Sequence, residues 1–408
     1  MHDHDQLLVA SWKDITLERF QHYWRNGKPA MIQDTMERSQ IAWTPDFFCA
    51  KYGKQRIDAI DCHTTKVTKM TINDFFKQYM ETNYQSRVLK IKDWPPGADF
   101  QTKCPLMYKD FMAMLPVPEY CAATGVYNLS NRLPDQYIKP DLGPKMFIAY
   151  GLDPTDTACQ VGTTNLHCDM TDAVNVMCHA QKTQYYDMND NNKTYDIGVS
   201  SSPGKAAAVW DIFSFSDLPY LRLFVGELLK EKEEQSTSMS KKISKLDPIH
   251  GQWIYLTEQH LQRLKTKYNV EPWRLYQNPG DAIYIPAGCA HQVANYCNAI
   301  KCAYDFVSPE NINRSSTITQ QFGRAKQEDV LQLKTTLLYT WLSVYKASQD
   351  LYPSPPADDD SSCLSPYHTD GTNQVAGKKR KHGKHENDGT SKKCKGSGNH
   401  ECSPTDDL

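Results

Sequence analysis

Between Lys145 and Val307 the hydrophobic residues come in short runs: KMFIAYG, AVNVMCHA, AAAVWDIF, AIYIPAG, HQVANYC and IKCAYDFV. Gly, Pro, Asn and Asp punctuate them. Runs of this length between turn formers predict strands. A long series of short strands predicts a sandwich or jelly roll, so the chain reads as mainly β. Two stretches inside the series switch to helical spacing. DLPYLRLFVGELLKEKEE (Asp217–Glu234) and TEQHLQRLKTKYN (Thr257–Asn269) predict helices that flank or interrupt the strands. No internal repeat is present.

The pattern differs on either side of this region. Residues 1–100 mix the two periods. LERFQHYWRNG (Leu17–Gly27) has helical spacing and a Gly stop, KPAMIQD is a short strand, and TINDFFKQYMET (Thr71–Thr82) is a helix capped by Thr71 or Asn73. DWPPGADF (Asp93–Phe100) is a rigid turn. QEDVLQLKTTLLYTWLSVYKASQ (Gln327–Gln349) is a long amphipathic helix, with Val330, Leu333, Leu337, Leu338, Trp341 and Tyr345 near one face. It is expected to cover the end of the β core, with dimerisation as the alternative. Beyond Leu351 the chain is rich in Pro, Asp, Ser, Lys and Gly and holds too little apolar surface to fold. The expected organisation is an N-terminal segment over 1–100 packing on the core, a jelly-roll domain over 101–326, a helix over 327–350 and a disordered basic tail over 351–408.

Composition narrows the class. The 408 residues are 39% hydrophobic and 11% aromatic, enough for a sizeable β-rich core. No apolar run is long enough to cross a bilayer, so no membrane partner is expected. The opening MHDHDQLLVASWKD has no basic stretch leading into an apolar one, so a secretory signal is not expected. The thirteen cysteines are scattered without a C-x-x-C pair, which points to free thiols in a reducing compartment. The net charge of −2 hides an asymmetry. Gly377–Lys395 holds eight Lys and Arg against two acids, leaving an acidic body that favours basic partners.

TTNLHCDMTDAVNVM (Thr163–Met177) carries the first chemical signal. On a strand, residues i and i+2 face together, so His167 and Asp169 would share one side with Cys168 facing away. An imidazole and a carboxylate on one face supply two ligands of the facial 2-His-1-carboxylate iron site. A hydrogen-bonded surface pair or a capped turn is the plainer reading of so short a motif. GDAIYIPAGCAHQVAN (Gly280–Asn295) then reads as turn, strand, Pro-Ala-Gly turn and a new strand opening on His291. His291 can supply a distant third ligand, and Val293 and Asn295 share its face. The tight strand–turn–His context favours the metal.

Seven stretches together resemble the JmjC-domain 2-oxoglutarate oxygenases. They are HYWRNGKPAMIQD (His22–Asp34), VLKIKDWPP (Val88–Pro96), LPDQYIKPDLGPKMFIAYG (Leu133–Gly151), LHCDMTDAVNVM (Leu166–Met177), DPIHGQWIYL (Asp247–Leu256), EPWRLYQNPGDAIYIPAGCAHQVAN (Glu271–Asn295) and KCAYDFVSPENI (Lys301–Ile312). The likeness runs over about residues 18–345. Within that family it is similar to the branch of histone H3 demethylases acting on the ninth-residue lysine, and the plant-type members look closest.

The resemblance implies a double-stranded β-helix (jelly roll, cupin-like). It implies Fe(II) held by His167, Asp169 and His291, with 2-oxoglutarate and O2 as co-substrates. A buried dicarboxylate needs a cation or hydroxyl at its far end. The family's spacing places Thr164 and Lys182 there, with Asn175 and Lys301 as alternatives. Strand parity does not put Thr164 on the face of His167, so a twist or bulge must intervene. The implied activity is removal of methyl groups from mono- or dimethylated lysine 9 of histone H3. A JmjC protein hydroxylase and a catalytically silent chromatin scaffold are the alternatives. Expected partners are the histone H3 tail and chromatin-associated proteins. Longer relatives carry a Cys-rich zinc region ahead of this domain, which no spacing here can build. Targeting is therefore expected to depend on partners, unless this is a short form or part of a longer protein. KKRK (Lys378–Lys381) and KKCK (Lys392–Lys395) suggest nuclear import. A weak nucleic-acid contact or a solubilising tail is the alternative for them.

Overall fold

The computed structural model describes residues 7–81, 87–96, 100–153, 161–187, 193–198, 200, 203–235, 247–324 and 331–351. The basic clusters near the C-terminus lie outside the described residues. Residues up to Pro353 form one compact unit.

Among the described residues fifteen strands appear in chain order. They are β1 (Leu8–Ser11), β2 (Ala30–Gln33), β3 (Arg56–Asp61), β4 (Val67–Thr71), β5 (Leu89–Trp94), β6 (Lys145–Ala149), β7 (Thr164–His167) and β8 (Asp172–Ala180). β9 (Thr183–Asp187), β10 (Lys193–Ile197), β11 (Ala208–Ile212), β12 (Trp273–Gln277), β13 (Ala282–Ile285), β14 (His291–Asn295) and β15 (Ala299–Phe306) follow. A nine-stranded sheet runs β1-β2-β13-β8-β15-β6-β5-β3-β4, and a four-stranded sheet runs β12-β11-β14-β7. Apart from the parallel pair β1–β2, the neighbours are antiparallel. The strands of the jelly roll fall where the short apolar runs predicted them.

The central strands of the large sheet, β8, β13 and most of β15, are buried on both faces, which explains their nearly unbroken apolar runs. In β8, Ala173 and Met177 pack toward the small sheet, beside Trp210, Ile212 and Val293. Val174, Val176 and Cys178 point the other way, into a larger core with Phe20, Trp24 and Tyr284. Helix α1 (Leu17–Trp24) supplies two of those aromatics, and the indole N–H of Trp24 donates to Ser308 Oγ at 3.0 Å. The N-terminal residues also enter the sheet itself, since β2 pairs with β13.

Helix α2 (Pro45–Tyr52) and helix α3 (Ile72–Tyr79) cover the same outer face. Thr71, rather than Asn73, caps α3, and Asp74 completes a capping box with it. Three helices, α4 (Phe100–Lys103), α5 (Pro105–Met114) and α6 (Pro118–Cys121), lead toward the β core. Two more, α7 (Leu218–Gln235) and α8 (Glu258–Tyr268), match the expected insertions.

Helix α9 (Ile312–Arg324) precedes α10 (Leu333–Leu351), the predicted amphipathic helix. Its outcome corrects the expectation. Among its described residues only Leu333 and Thr336 are buried, while Leu338, Trp341 and Val344 are 54%, 60% and 62% exposed. It touches Leu129–Arg132 and leaves most of its apolar ridge uncovered by described residues, so periodicity located the helix without revealing what it covers.

Candidate active site

Two strands of the small sheet and two turns bring three ligand-bearing residues together. β7 ends on His167, β14 begins on His291, and the register pairs them. Their rings lie 4.3 Å apart. Asp169 stands just past the end of β7, where its backbone oxygen accepts the Gly288 N–H at 3.0 Å. The Pro286–Gly288 turn is itself pinned, because the Ala287 N–H donates to Asp172 Oδ1 at 2.8 Å. Asp172 is fully buried and also accepts the Ser308 N–H and the Asn311 amide. Burial pushes its carboxyl up to about 6. The turn needs glycine at 288: its φ is +75°, and a Cβ would sit 2.7 Å from the Phe215 ring.

The two histidines are oriented alike. His167 Nδ1 lies 2.8 Å from the Asn165 carbonyl and His291 Nδ1 lies 3.0 Å from the Cys289 carbonyl. A carbonyl only accepts, so each Nδ1 carries the proton and each Nε2 offers a lone pair. Asp169 Oδ2 is 4.0 Å from His167 Nε2 and 3.7 Å from His291 Nε2. The three groups have ligand atoms within 4.8 Å of one another. Such gaps exceed a hydrogen bond and suit donors that each stand about 2 Å from one shared ion. Burial, with His167 adding to it, lowers His291 to about 4, so its ring is neutral, the form a metal binds. Two imidazoles and one carboxylate fit a divalent iron with open positions.

His-x-Asp and Ala-Val-Asn-Val-Met do not share a strand. The bend at Met170–Thr171 passes the chain from the small sheet to the large one, so the second run faces the first across the cavity. Cys168 does point away, into an apolar cluster with Phe213 and Leu221.

A cavity of about 450 Å³ opens between the sheets at this point. Thr164, Asn175 and Lys301 line it together with the triad. Two steps on β14 oppose three on β7 between the His167 and Thr164 pairings, so β7 carries one extra residue. That bulge turns Thr164 to the side of His167. Lys182 stands elsewhere. It is exposed and outside the cavity lining, because β8 ends at Ala180 and Lys182 lies beyond the wall.

Lys301 occupies the interior instead. It is 3% exposed and lies over the Trp210 ring at 5.0 Å, without an ion-pair or hydrogen-bond partner among the described residues. Burial alone pulls its ammonium down to about 7. The Oδ1 atoms of Asn175 and Asn295 are buried and unpaired beside it in the same cavity. Asn295, placed by the sequence only on the face of His291, lines the cavity too, as do Trp210 and Asp305, which sequence reasoning did not single out. Strand alternation held the signal: His291, Val293 and Asn295 face one way, as do Lys301, Ala303 and Asp305.

Residues 191–306 match a family described as "JmjC domain, hydroxylase". The matched span includes His291 but begins after His167 and Asp169. Lysine-specific demethylase 3A of Homo sapiens is 35% identical over 364 residues, covering 82% of this chain and 27% of that protein. Lysine-specific demethylase JMJ29 of Arabidopsis thaliana is 33% identical over 359 residues, covering 76% and 40%. Lysine-specific demethylase JMJ26 of the same plant is 31% identical over 377 residues, covering 80% and 42%. The chain thus spans about a quarter to two-fifths of the length of these relatives.

Proposed function

This chain belongs to the JmjC family, and we propose that it is an Fe(II)- and 2-oxoglutarate-dependent demethylase of histone H3, acting on mono- or dimethylated lysine 9. One observation carries the reading. A buried lysine with no acidic partner among the described residues stands in the same cavity as a 2-His-1-carboxylate set. Leaving Lys301 unpaired costs folding stability, and a dicarboxylate co-substrate would remove that cost.

Each residue has a role in this reading. His167, Asp169 and His291 hold the iron on one side and leave the other side open. Lys301 binds the far carboxylate of 2-oxoglutarate, and Thr164, Asn175 and Asn295 supply hydrogen bonds around it. Trp210 walls the site and limits access of water. When bound, Fe(II) with 2-oxoglutarate and O2 supplies oxidation of an N-methyl C–H, giving succinate and CO2 and releasing the methyl carbon as formaldehyde.

The three relatives quoted are all named lysine-specific demethylases, which favours lysine over other methylated targets. A histone substrate would in turn imply chromatin-associated partners and a nuclear setting. The clusters at Lys378–Lys381 and Lys392–Lys395 would serve as the import signal. Fusing residues 370–408 to a large reporter tests that, and a reporter left in the cytoplasm removes the assignment.

Mass spectrometry of a panel of methylated histone peptides, incubated with Fe(II) and 2-oxoglutarate, tests the activity. Loss of a CH2 mass from a lysine-9 peptide is the expected result. Gain of one oxygen that persists would make the chain a hydroxylase, and no change on any peptide would leave a scaffold.

A further inference from the structure

Strand β15 lays opposite charges along one wall of the cavity. Lys301, Ala303 and Asp305 alternate onto the same face and all three line the cavity. The first and last are separated by about 13 Å of strand. Lys301 is sealed at one end. Asp305 stands at the other end, partly open, with its side chain 27% exposed. Ala303 between them is small and pairs with Asn175 on one side and Lys145 on the other, so the middle of the wall stays open. The metal-type triad faces this wall from the small sheet.

The cavity therefore has a cationic end and an anionic end. The cationic end suits a dicarboxylate. The anionic end has no comparable use in the co-substrate. Asp305 is also poorly matched inside the protein. Its nearest cation is Lys145 Nζ at 3.9 Å, at the limit of an ion pair, and that ammonium also donates to the Asp141 carbonyl at 3.3 Å. Burial, with Asp169 adding and Lys145 opposing, pushes the Asp305 carboxyl up to about 7. A half-buried carboxylate with so loose an ion pair gains from a better placed cation.

We propose that Asp305 is the specificity residue that receives the substrate's methylammonium group and favours one that still carries an N–H. The proposal rests on the demethylase reading for the identity of the substrate. The chemistry is one of matching. A mono- or dimethylammonium keeps at least one N–H and donates a charge-assisted hydrogen bond to the carboxylate. A trimethylammonium has none to donate. Lys145 is the placeholder that the incoming cation displaces from Asp305, and it retains its contact with the Asp141 carbonyl.

The test compares two fluorescent H3-tail peptides on the iron-loaded full chain. One carries dimethyl-lysine at position 9, and the other carries its neutral carbon isostere of the same shape. The wild type is expected to prefer the cationic peptide by about tenfold or more, the worth of one charge-assisted hydrogen bond. Asp305→Asn should bring the ratio close to one, and Asp305→Glu should keep part of it. A wild type that does not distinguish the peptides, or an Asp305→Asn variant that still does, overturns the proposal. Turnover assays on the same samples separate the two readings. A charge preference that depends on Asp305, without loss of any methyl group, sustains this site and sinks demethylation. Demethylation with a preference indifferent to Asp305 does the reverse.

Discussion

The two walls of the cavity are built by opposite rules. The small sheet offers its ligands at strand ends and turns: His167 closes β7, His291 opens β14, and Asp169 follows the strand. The large sheet offers its polar groups from mid-strand: Asn175 within β8, and Lys301 and Asp305 within β15. Strand ends can be aimed by the turns that pin them, here through Gly288 and Asp172. Mid-strand groups are aimed only by parity and by rigid pairing on both sides. The difference teaches that ligand convergence here depends on turns, whereas polarity along the cavity depends on register.

The largest effect should come from the turn-aimed wall. His167→Ala, Asp169→Ala and His291→Ala should each abolish succinate release while circular dichroism stays native, because each removes one of three ligands. Asp169→Asn should be nearly as damaging, since shape without charge does not replace an anionic ligand. Wild-type turnover in any of these would remove that residue from the site.

Next comes the register-aimed wall. Lys301→Met should raise the 2-oxoglutarate requirement about tenfold or more, the loss of one charge-assisted hydrogen bond of about 1.5–3 kcal/mol. Lys182→Ala should leave the requirement unchanged, as an exposed lysine outside the cavity. The reverse result would return the role to Lys182.

The pH profile sharpens the same contrast. Burial lowers Lys301 from an ordinary 10.5 to about 7. In the free protein its cation is present below about pH 7, so 2-oxoglutarate should bind fully there and more weakly as pH rises above 7. Stability should move oppositely: between about 7 and 10.5 the unfolded chain holds a proton that the folded chain has released, so this residue adds stability as pH rises. Both trends should flatten in Lys301→Met, as read by calorimetry across that range. A profile that survives the substitution would assign the titration elsewhere.

The smallest effect tests the turn. Gly288→Ala should cost about 1–3 kcal/mol from the positive φ, plus the clash with Phe215. Its signature should be weaker metal retention, because the Gly288 N–H holds the Asp169 backbone. An urea midpoint and metal affinity equal to wild type would show that the turn does not aim the ligand.

Legibility in the sequence followed the same division. Strands were readable because each short run had punctuation on both sides, and the triad was readable because His-x-Asp and the Pro-Ala-Gly turn are local. The demand for a bulge before His167 was also legible, since parity alone could not reconcile Thr164 with His167. The lysine was not settled by spacing. Counting forward from His167 reaches Lys182 after the wall has ended, whereas Lys301 arrives on a strand that runs back beside β8. Lys301 had been only an alternative because neighbour order in a sheet is not written in local pattern. The final helix failed for a related reason. Amphipathic spacing says that a face is apolar, not what lies against it, and the ridge of Leu338, Trp341 and Val344 is exposed.

The pairing of β2 with β13 has a consequence for how the molecule is made. Ala30 and Tyr284 are partners in that ladder although about 250 residues of chain separate them. During synthesis the early strand leaves the ribosome long before its neighbour exists, and its unpaired edge must wait. The sheet therefore closes late, around a segment already emerged, and premature release or slow translation of the last third would leave a sticky edge in place of a closed cavity.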